Sequence, residues 1–551
     1  MKQIAIGNDD FKDLRKEDCY FVDKTYFIKD IIDTKAKVTL ITRPRRFGKT
    51  LNMSMLYYYF NCNKLSPATK DAGSNRGFIE NNKNLFDDLF ISKQEDKYLN
   101  ECGKYPTIFI TFRGMEAQNY DSAVNTLKSR ISDEFEKHSY LLDNDKISER
   151  NKRKFNNFLN EISDEEEYKE SLLFLSGLLE QHYGQKVIIL IDEYDKPIQN
   201  SFLNDYYDRF VKIVKGLFEN TFKTNPSLHK AIITGILRVA KEGIFSGLNN
   251  LEVHSITNKV YSNHFGFSQE EINEMFDYYG LEGKLEEASL WYNGYNYGGN
   301  TIYNPWSILN YCKFNEEGFK SYWVNSGSTD IIDLSVKNAS NIRNRLVGLL
   351  DGIAVKSSLA EEMIYSDIKN CIEDSVYTLL LYSGYLNIAG KDEHDRYIMK
   401  IPNKEVTFAY KTMIERWAQN ILNLNYLVDM FAEIFDGNLE PLKSYVNDTF
   451  LRSFSYFDQN KAEPEIVYQA FFMGLLTQLN SDLYIVRSNR ESGFGRYAIC
   501  VYPKAINKNK TGVIFEFKTT ENIDDLEKNA KTALSQINTM KYETDLKNLR
   551  S

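Results

Sequence analysis

Two short stretches in the first half of the chain carry residue types that could handle a phosphate chain. In "KVTLITRPRRFGKTLNMSMLYYYF", the apolar run Val38 to Ile41 suits a buried strand, and Leu51, Met55, Leu56 and Tyr59 recur at helical spacing. Between them Gly48, Lys49 and Thr50 stand in a row. A phosphate needs backbone N–H groups at a helix start, an ammonium on its oxygens and a hydroxyl on its Mg²⁺. Gly48, Lys49 and Thr50 would supply these, so Arg45, Arg46, Phe47, Gly48, Lys49, Thr50 and Leu51 are the expected nucleotide contacts. The spacing departs from the usual GxxxxGK followed by Ser or Thr, because Arg43 stands where the first glycine belongs.

The second stretch, "QKVIILIDEYDKPI", has an apolar strand, Val187 to Ile191, that ends in Asp192 and Glu193. Two acids at the end of a buried strand need a cation or a partner. Asp192 is assigned, with Thr50, to Mg²⁺, and Glu193 to activation of the attacking water, the roles such acids take in P-loop NTPases. A third apolar strand, Ala231 to Ile236, carries Thr234 near its tip, where it would face the γ-phosphate, followed by Arg238. Arg238 either senses the nucleotide or pairs with Asp192 or Asp195. Thr107 to Phe112 supplies another strand, and the helical stretch after it would cover the sheet. Strands alternating with helices predict a parallel α/β core.

A third stretch, "GFGRYAICVYPKAINKNKTGVIFEFKTT", residues 493–520, reads as two strands around a basic loop. Ile514, Glu516 and Lys518 fall on one strand face. Glu516 can hold Mg²⁺, and Lys518 can orient the attacking water or stabilise charge on a phosphodiester. Mg²⁺ usually rests on one or two carboxylates plus waters and substrate oxygens, so a lone carboxylate is a poor site. The neighbouring strand offers Ala498 instead of a second acid. Glu465 on an apolar helix is a further ligand candidate, Gln536 on the last helix a contact for phosphate or metal-bound water, and Lys504, Lys508 and Lys510 candidates for backbone phosphates.

The chain has 551 residues, enough for three or four domains; it is 42% hydrophobic, 26% charged and 14% aromatic. A net charge of −9 argues against a protein that coats nucleic acid over its whole surface, though not against a local basic groove. Six cysteines without a CxxC pair suggest neither zinc site nor disulfide framework, which fits a reducing cytoplasm. The first residues lack an apolar core of signal-peptide length, and no run of 18 apolar residues predicts a membrane span. Ser268 with Glu271 three residues on predicts a capped helix. The aromatic "WYNGYNYGG" reads as tight turns packed by rings, with base stacking the lesser alternative.

"YFVDKTYFI", "RPRRFGKTLNMSML", "LIDEYDKPI" and "TGILRVAKEGIFSGLNNL", followed by "WYNGYNYGG", "YNPWSILNY" and "LLLYSGYLNI", resemble the prokaryotic AAA-ATPase-like family, whose members often carry a C-terminal PD-(D/E)xK nuclease domain. The family's P-loop also reads RPRRFGKT, so Arg43 is a family trait, and Arg43, Arg45 and Arg46 would add positive charge beside the phosphates. The implied architecture is α/β. A P-loop NTPase core with a parallel sheet (1–255) is followed by a helical lid (256–330) and a winged-helix-like regulatory region (331–435). A C-terminal PD-(D/E)xK nuclease-like domain (436–551) completes it. The family's adjacent strand normally carries Asp in a "GRYDI"-like string where this chain has "GRYAI". A drifting site would erode its neighbours too, so the isolated alanine reads as a deliberate inactivating substitution, with natural loss the alternative. The resemblance implies an ATP-controlled, Mg²⁺-dependent nuclease with ATP and Mg²⁺ as cofactors and nucleic acid as partner, DNA ahead of RNA. A homo-oligomer and a role in defence against foreign DNA follow by analogy. The alternative is an ATP-switched protein that binds nucleic acid without cutting it.

Overall fold

A computed structural model describes residues 1–62, 82–223, 225–237, 248–323, 348–360, 365–421 and 433–443. Towards the C-terminus it describes 484–488, 491–492, 495–496, 499–503, 512–518, 520 and 522–542, and isolated positions (244, 245, 342, 345, 346, 430, 473 and 476) lie between these ranges. The chain divides into two compact units. One holds residues 1–332, 357–397 and 402–405, the other 333–356, 398–401 and 406–551.

The first unit is built on five parallel strands: β1 (Val38–Thr42), β2 (Thr107–Thr111), β3 (Val187–Asp192), β4 (Leu228–Gly235) and β5 (Leu251–His254). Their order is β2-β3-β4-β1-β5. Every residue of β1 and β3 is buried, as expected where helices cover both faces of a parallel sheet. The covering helices include Lys49–Phe60, Tyr120–Lys137, Ser171–Tyr183 and Tyr207–Phe222. β4 separates the two strands that carry the phosphate motifs, and the chain order changes direction at β1. A crevice at the carboxyl ends of the strands is where such sheets bind ligands.

After β5 come the helices Gln269–Tyr279, Leu285–Tyr292 and Pro305–Lys313. The first is opened by the expected capping box of Ser268 and Glu271. Between the second and third sits a hairpin, Tyr295–Tyr297 with Asn300–Ile302. Tyr292, Tyr295, Tyr297, Tyr303 and Tyr311 are all buried, so the aromatic stretch is core and its rings are not presented for base stacking. Gly266 has φ +88°, and a Cβ there would collide with Ile302 and crowd Phe47, so this close approach requires glycine. Further on, helix Glu373–Tyr382 and strands Asn387–Lys391 and Tyr397–Lys400 precede helix Lys404–Ile421.

In the second unit, strand Ile499–Pro503 lies between Tyr484–Ser488 and Val513–Phe515, all antiparallel. Helix Leu526–Thr539 follows. Cys500, Tyr502 and Tyr542 are buried together, with Ile485, Ile514 and Ile537 packed around them. The helix expected around Glu465 lies outside the described residues.

Candidate functional site

The turn after β1 shapes the first site. Arg46 and Gly48 take left-handed backbone, φ +66° and +82°, which bends the chain sharply into the helix that begins at Lys49. The first turn of that helix has N–H groups without helical acceptors. Lys49 is almost wholly buried, and its Nζ donates to the carbonyls of Arg43 (3.0 Å) and Pro44 (2.8 Å). Burial pushes its ammonium below the usual lysine range, while Glu193, Asp192 and Asp195 pull the other way. A buried ammonium bonded to neutral carbonyls is a socket for an anion.

Asp192, at the tip of β3, is fully buried. Its Oδ2 accepts the Thr50 hydroxyl at 2.8 Å and, more weakly, that of Thr111 at 3.4 Å, while Oδ1 accepts Thr234 at 2.6 Å. Three hydroxyls from three elements hold one carboxylate beside Lys49. Glu193 follows with φ +53°, which turns its side chain out of the strand line towards the cavity. Burial first, then the Asp192 charge, raise its pKa, against the opposing pull of Lys49. That is the environment of a carboxylate prepared to take a proton.

Lys49, Thr50 and Glu193 line a cavity of about 480 Å³ with Arg45, Arg46, Phe47, Gly48 and Leu51, while Asp192 lies behind its wall and meets it through the Thr50 hydroxyl. The size suits a nucleotide-sized ligand. Most of the residues expected from the motif therefore converge on one space. Arg238, the sensor candidate, lies outside the described residues.

Two expectations need correction, those for Arg43 and Thr234. Arg43 adds no charge beside the phosphates. Its side chain is buried, with Nη1 donating to the carbonyls of Thr42 (2.7 Å) and His254 (3.1 Å) and Nη2 to Tyr261 (2.9 Å). The guanidinium lies against Phe265 and Tyr297, and burial lowers its pKa to about 10. Arg43 directly follows β1, and β5 is the next strand, so its side chain closes the end of that pair. Phe47 offers the cavity only part of its surface, because its ring packs on Tyr295 (5.0 Å) and Tyr297 (5.4 Å). Thr234 is spent on Asp192 and is not in the cavity wall.

The N-terminal segment was missed. Gly7, Asn8, Asp9, Leu14, Tyr20 and Val22 form one wall, and His264, Phe267, Trp306 and Leu309 another. Lys24 ties these walls together, donating to Glu271 (2.6 Å) and to the Asn263 carbonyl (2.9 Å). Arg46 lies 4.1 Å over the Trp306 ring. The "YFVDKTYFI" string holds Tyr20, Val22 and Lys24, but no local spacing shows that a segment preceding β1 folds back over the end of that strand.

In the second unit, strand Val513–Phe515 ends just before Glu516. Lys518 Nζ stands 3.8 Å from Glu516 Oε1. Gln536, from the last helix, donates to the same oxygen at 2.9 Å and to the Tyr542 hydroxyl at 3.1 Å. The Glu516 side chain is 8% exposed and that of Lys518 25%, so the carboxylate is pinned from one side while the amine reaches solvent. Gln536 thus joins the candidate site, and Tyr542 is an addition that sequence reasoning did not make. Ala498, Glu465, Lys504, Lys508 and Lys510 lie outside the described residues. Among the described residues no three His, Cys, Asp or Glu side chains gather in one cluster, and no helix is long and apolar enough to cross a membrane.

Residues 5–245 match the family described as predicted AAA-ATPase, and residues 463–551 match the PD-(D/E)XK nuclease superfamily. An uncharacterized protein encoded in the vnfD 5′ region of Azotobacter chroococcum mcd 1 is 26% identical over 413 residues, spanning 74% of this chain and 68% of its own length. The buried Lys49, the Thr50–Asp192 pair and the antiparallel strands leading to Glu516 and Lys518 fall inside the two matched segments. The two sites thus lie in segments similar to the predicted AAA-ATPase family, over residues 5–245, and to the PD-(D/E)XK nuclease superfamily, over residues 463–551.

Proposed function

We propose that the N-terminal domain binds and hydrolyses ATP with Mg²⁺, and that nucleotide state controls a Mg²⁺-dependent nuclease site on the C-terminal domain. The observation that carries the ATP reading is the Thr50–Asp192 hydrogen bond beside a buried Lys49. Thr50 and Asp192 would hold Mg²⁺ there, and the ion would neutralise phosphate oxygens. Lys49 would exchange its two carbonyls for phosphate oxygens. Glu193 would take a proton from the water that attacks the γ-phosphorus. The proposed division of labour is a core (1–255), a lid (256–330), a regulatory region (331–435) and a nuclease-like part (436–551).

At the second site Glu516 would hold Mg²⁺, and Lys518 would orient the attacking water or stabilise charge on the scissile phosphate. Nucleic acid, DNA ahead of RNA, is the proposed substrate, in defence against foreign DNA and in the cytoplasm. Ala498 favours a second reading. It immediately precedes Ile499, whose partner Phe515 immediately precedes Glu516, and it gives that place no carboxylate. The site in this chain is then disabled by one substitution, or the protein binds nucleic acid without cutting it. Incubating wild-type and Ala498→Asp protein with DNA and with RNA, with and without ATP and Mg²⁺, tests both. Cleavage by Ala498→Asp that a further Lys518→Ala abolishes supports the nuclease. Binding without cleavage by either protein supports the second reading. A size measurement with and without ATP reads any homo-oligomer.

A further inference from the structure

The loop after β2 contributes a cation to the cavity that no motif announces. β2 lies beside β3 with Thr111 opposite Asp192. The Thr111 hydroxyl reaches Asp192 at 3.4 Å and accepts the Arg113 N–H at 3.2 Å. Arg113 is thereby placed two hydrogen bonds from the carboxylate that holds Thr50, and it lines the cavity with Lys49, Thr50 and Glu193.

Its guanidinium pairs with Asp9, from the N-terminal wall of the same cavity. Asp9 is held in place by its neighbours. Asp10 accepts the Tyr58 hydroxyl at 2.8 Å, and the Phe11 N–H donates to Ser54 at 3.0 Å, both on the helix that begins at Lys49. Two other cations of the cavity also have carboxylate partners: Lys24 is buried against Glu271, and Lys196 pairs with Glu116 at 2.9 Å. The Arg113 and Asp9 side chains are 48% and 42% exposed. Exposed pairs of this kind are weak. A guanidinium gains more from a multiply charged phosphate, which it can grip with two parallel N–H groups.

We propose that Arg113 is a γ-phosphate contact supplied by the chain itself, and that Asp9 is the counterion it gives up when ATP enters. The proposal rests on the ATP reading above. Arg113 would stabilise negative charge on the terminal phosphate on the side where Glu193 meets the attacking water. Asp9, freed of its partner, would make the N-terminal wall respond to ATP and not to ADP.

The test is equilibrium binding of a non-hydrolysable ATP analogue and of ADP, each with Mg²⁺, to wild-type, Lys49→Ala, Arg113→Ala, Arg113→Lys and Asp9→Asn proteins of full length. Arg113→Ala is expected to weaken the triphosphate tenfold or more and to leave ADP within twofold. Arg113→Lys should fall between, and Asp9→Asn should tighten the triphosphate a few-fold without changing ADP. Lys49→Ala should weaken both nucleotides. Equal losses of both nucleotides in Arg113→Ala, or no loss, overturn the Arg113 proposal while the ATP reading stands. No binding of either nucleotide by the wild-type protein overturns the ATP reading and the proposal with it. Asp9→Asn removes no contact from the bound phosphate, so its result guards against a folding defect in Arg113→Ala.

Discussion

The Thr50 hydroxyl donates to Asp192 at 2.8 Å, joining the first turn of a helix to the tip of a strand that lies two places away in the sheet. The bond closes over β4, whose Thr234 donates to the other oxygen of the same carboxylate. Thr50 and Asp192 are 142 residues apart in the chain, and the sheet order alone makes them neighbours.

Removing one of these hydroxyls should loosen the carboxylate without emptying the space. Thr234→Val keeps the shape and deletes the bond to Asp192. A hydrogen bond to a charged group contributes about 1.5–3 kcal/mol, and a loss of that size is expected in the unfolding free energy of the N-terminal domain, read from a denaturant titration. Asp192→Asn should abolish the Mg²⁺ dependence of ATP affinity, measured by titration with and without chelator. An unchanged Mg²⁺ dependence would remove Asp192 from the metal site.

Glu193 sets the acid limb of the proposed ATPase. Burial and Asp192 raise its pKa, so it remains protonated at a pH where an ordinary carboxyl has ionised. The rate should fall, as pH drops, above the usual carboxylate range of about 4.3. Glu193→Gln should remove that limb along with most of the activity. A pH–rate profile for ATP hydrolysis checks this, and a wild-type limb at ordinary carboxylate pH counts against Glu193 as the base.

Glu405 offers a stability test outside the active site. It is fully buried. It accepts the N–H groups of Tyr322 and Trp323, both at 2.7 Å, and the Ser307 hydroxyl at 2.7 Å. Burial nevertheless raises its pKa from 4.5 to about 7. The folded state therefore holds the proton more tightly than the unfolded state, and Glu405's contribution declines as pH rises from 4.5 through 7. The shift corresponds to about 3 kcal/mol. A glutamine can still accept both N–H groups and donate to Ser307. Glu405→Gln should flatten the fall of melting temperature over that pH range, and parallel curves for the two proteins would show that Glu405 is not the titrating group.

In the C-terminal domain the Gln536–Glu516 hydrogen bond aims the carboxylate. In an Ala498→Asp background, Gln536→Ala is expected to lower Mg²⁺-dependent cleavage by roughly 10–100-fold, the effect of losing a partner that orients a metal ligand. More Mg²⁺ should partly restore the rate. Lys518→Ala should abolish cleavage at every Mg²⁺ concentration, and a loss in Gln536→Ala that added Mg²⁺ leaves untouched would assign Gln536 to the substrate.

Local patterns carried much of this protein. The parallel strands, the turn before Lys49, the acids that end β3, the capped helix at Ser268 and the strand leading to Glu516 are set by residues within a few positions of one another. Apolar periodicity, left-handed glycine and capping act over that range. Long-range contact decided the rest. Arg43 reads as one more charge in a basic loop, yet the carbonyls that take it come from His254 and Tyr261, more than 200 residues away. Tyr105 and His229 stack at 4.4 Å although nothing near either one forecasts the pairing. The Arg113–Asp9 pair and the Gln536–Glu516 bond likewise arise from folded proximity. A side chain's chemistry is written in its type, whereas its partner, its burial and hence its charge state depend on which distant backbone the fold brings against it.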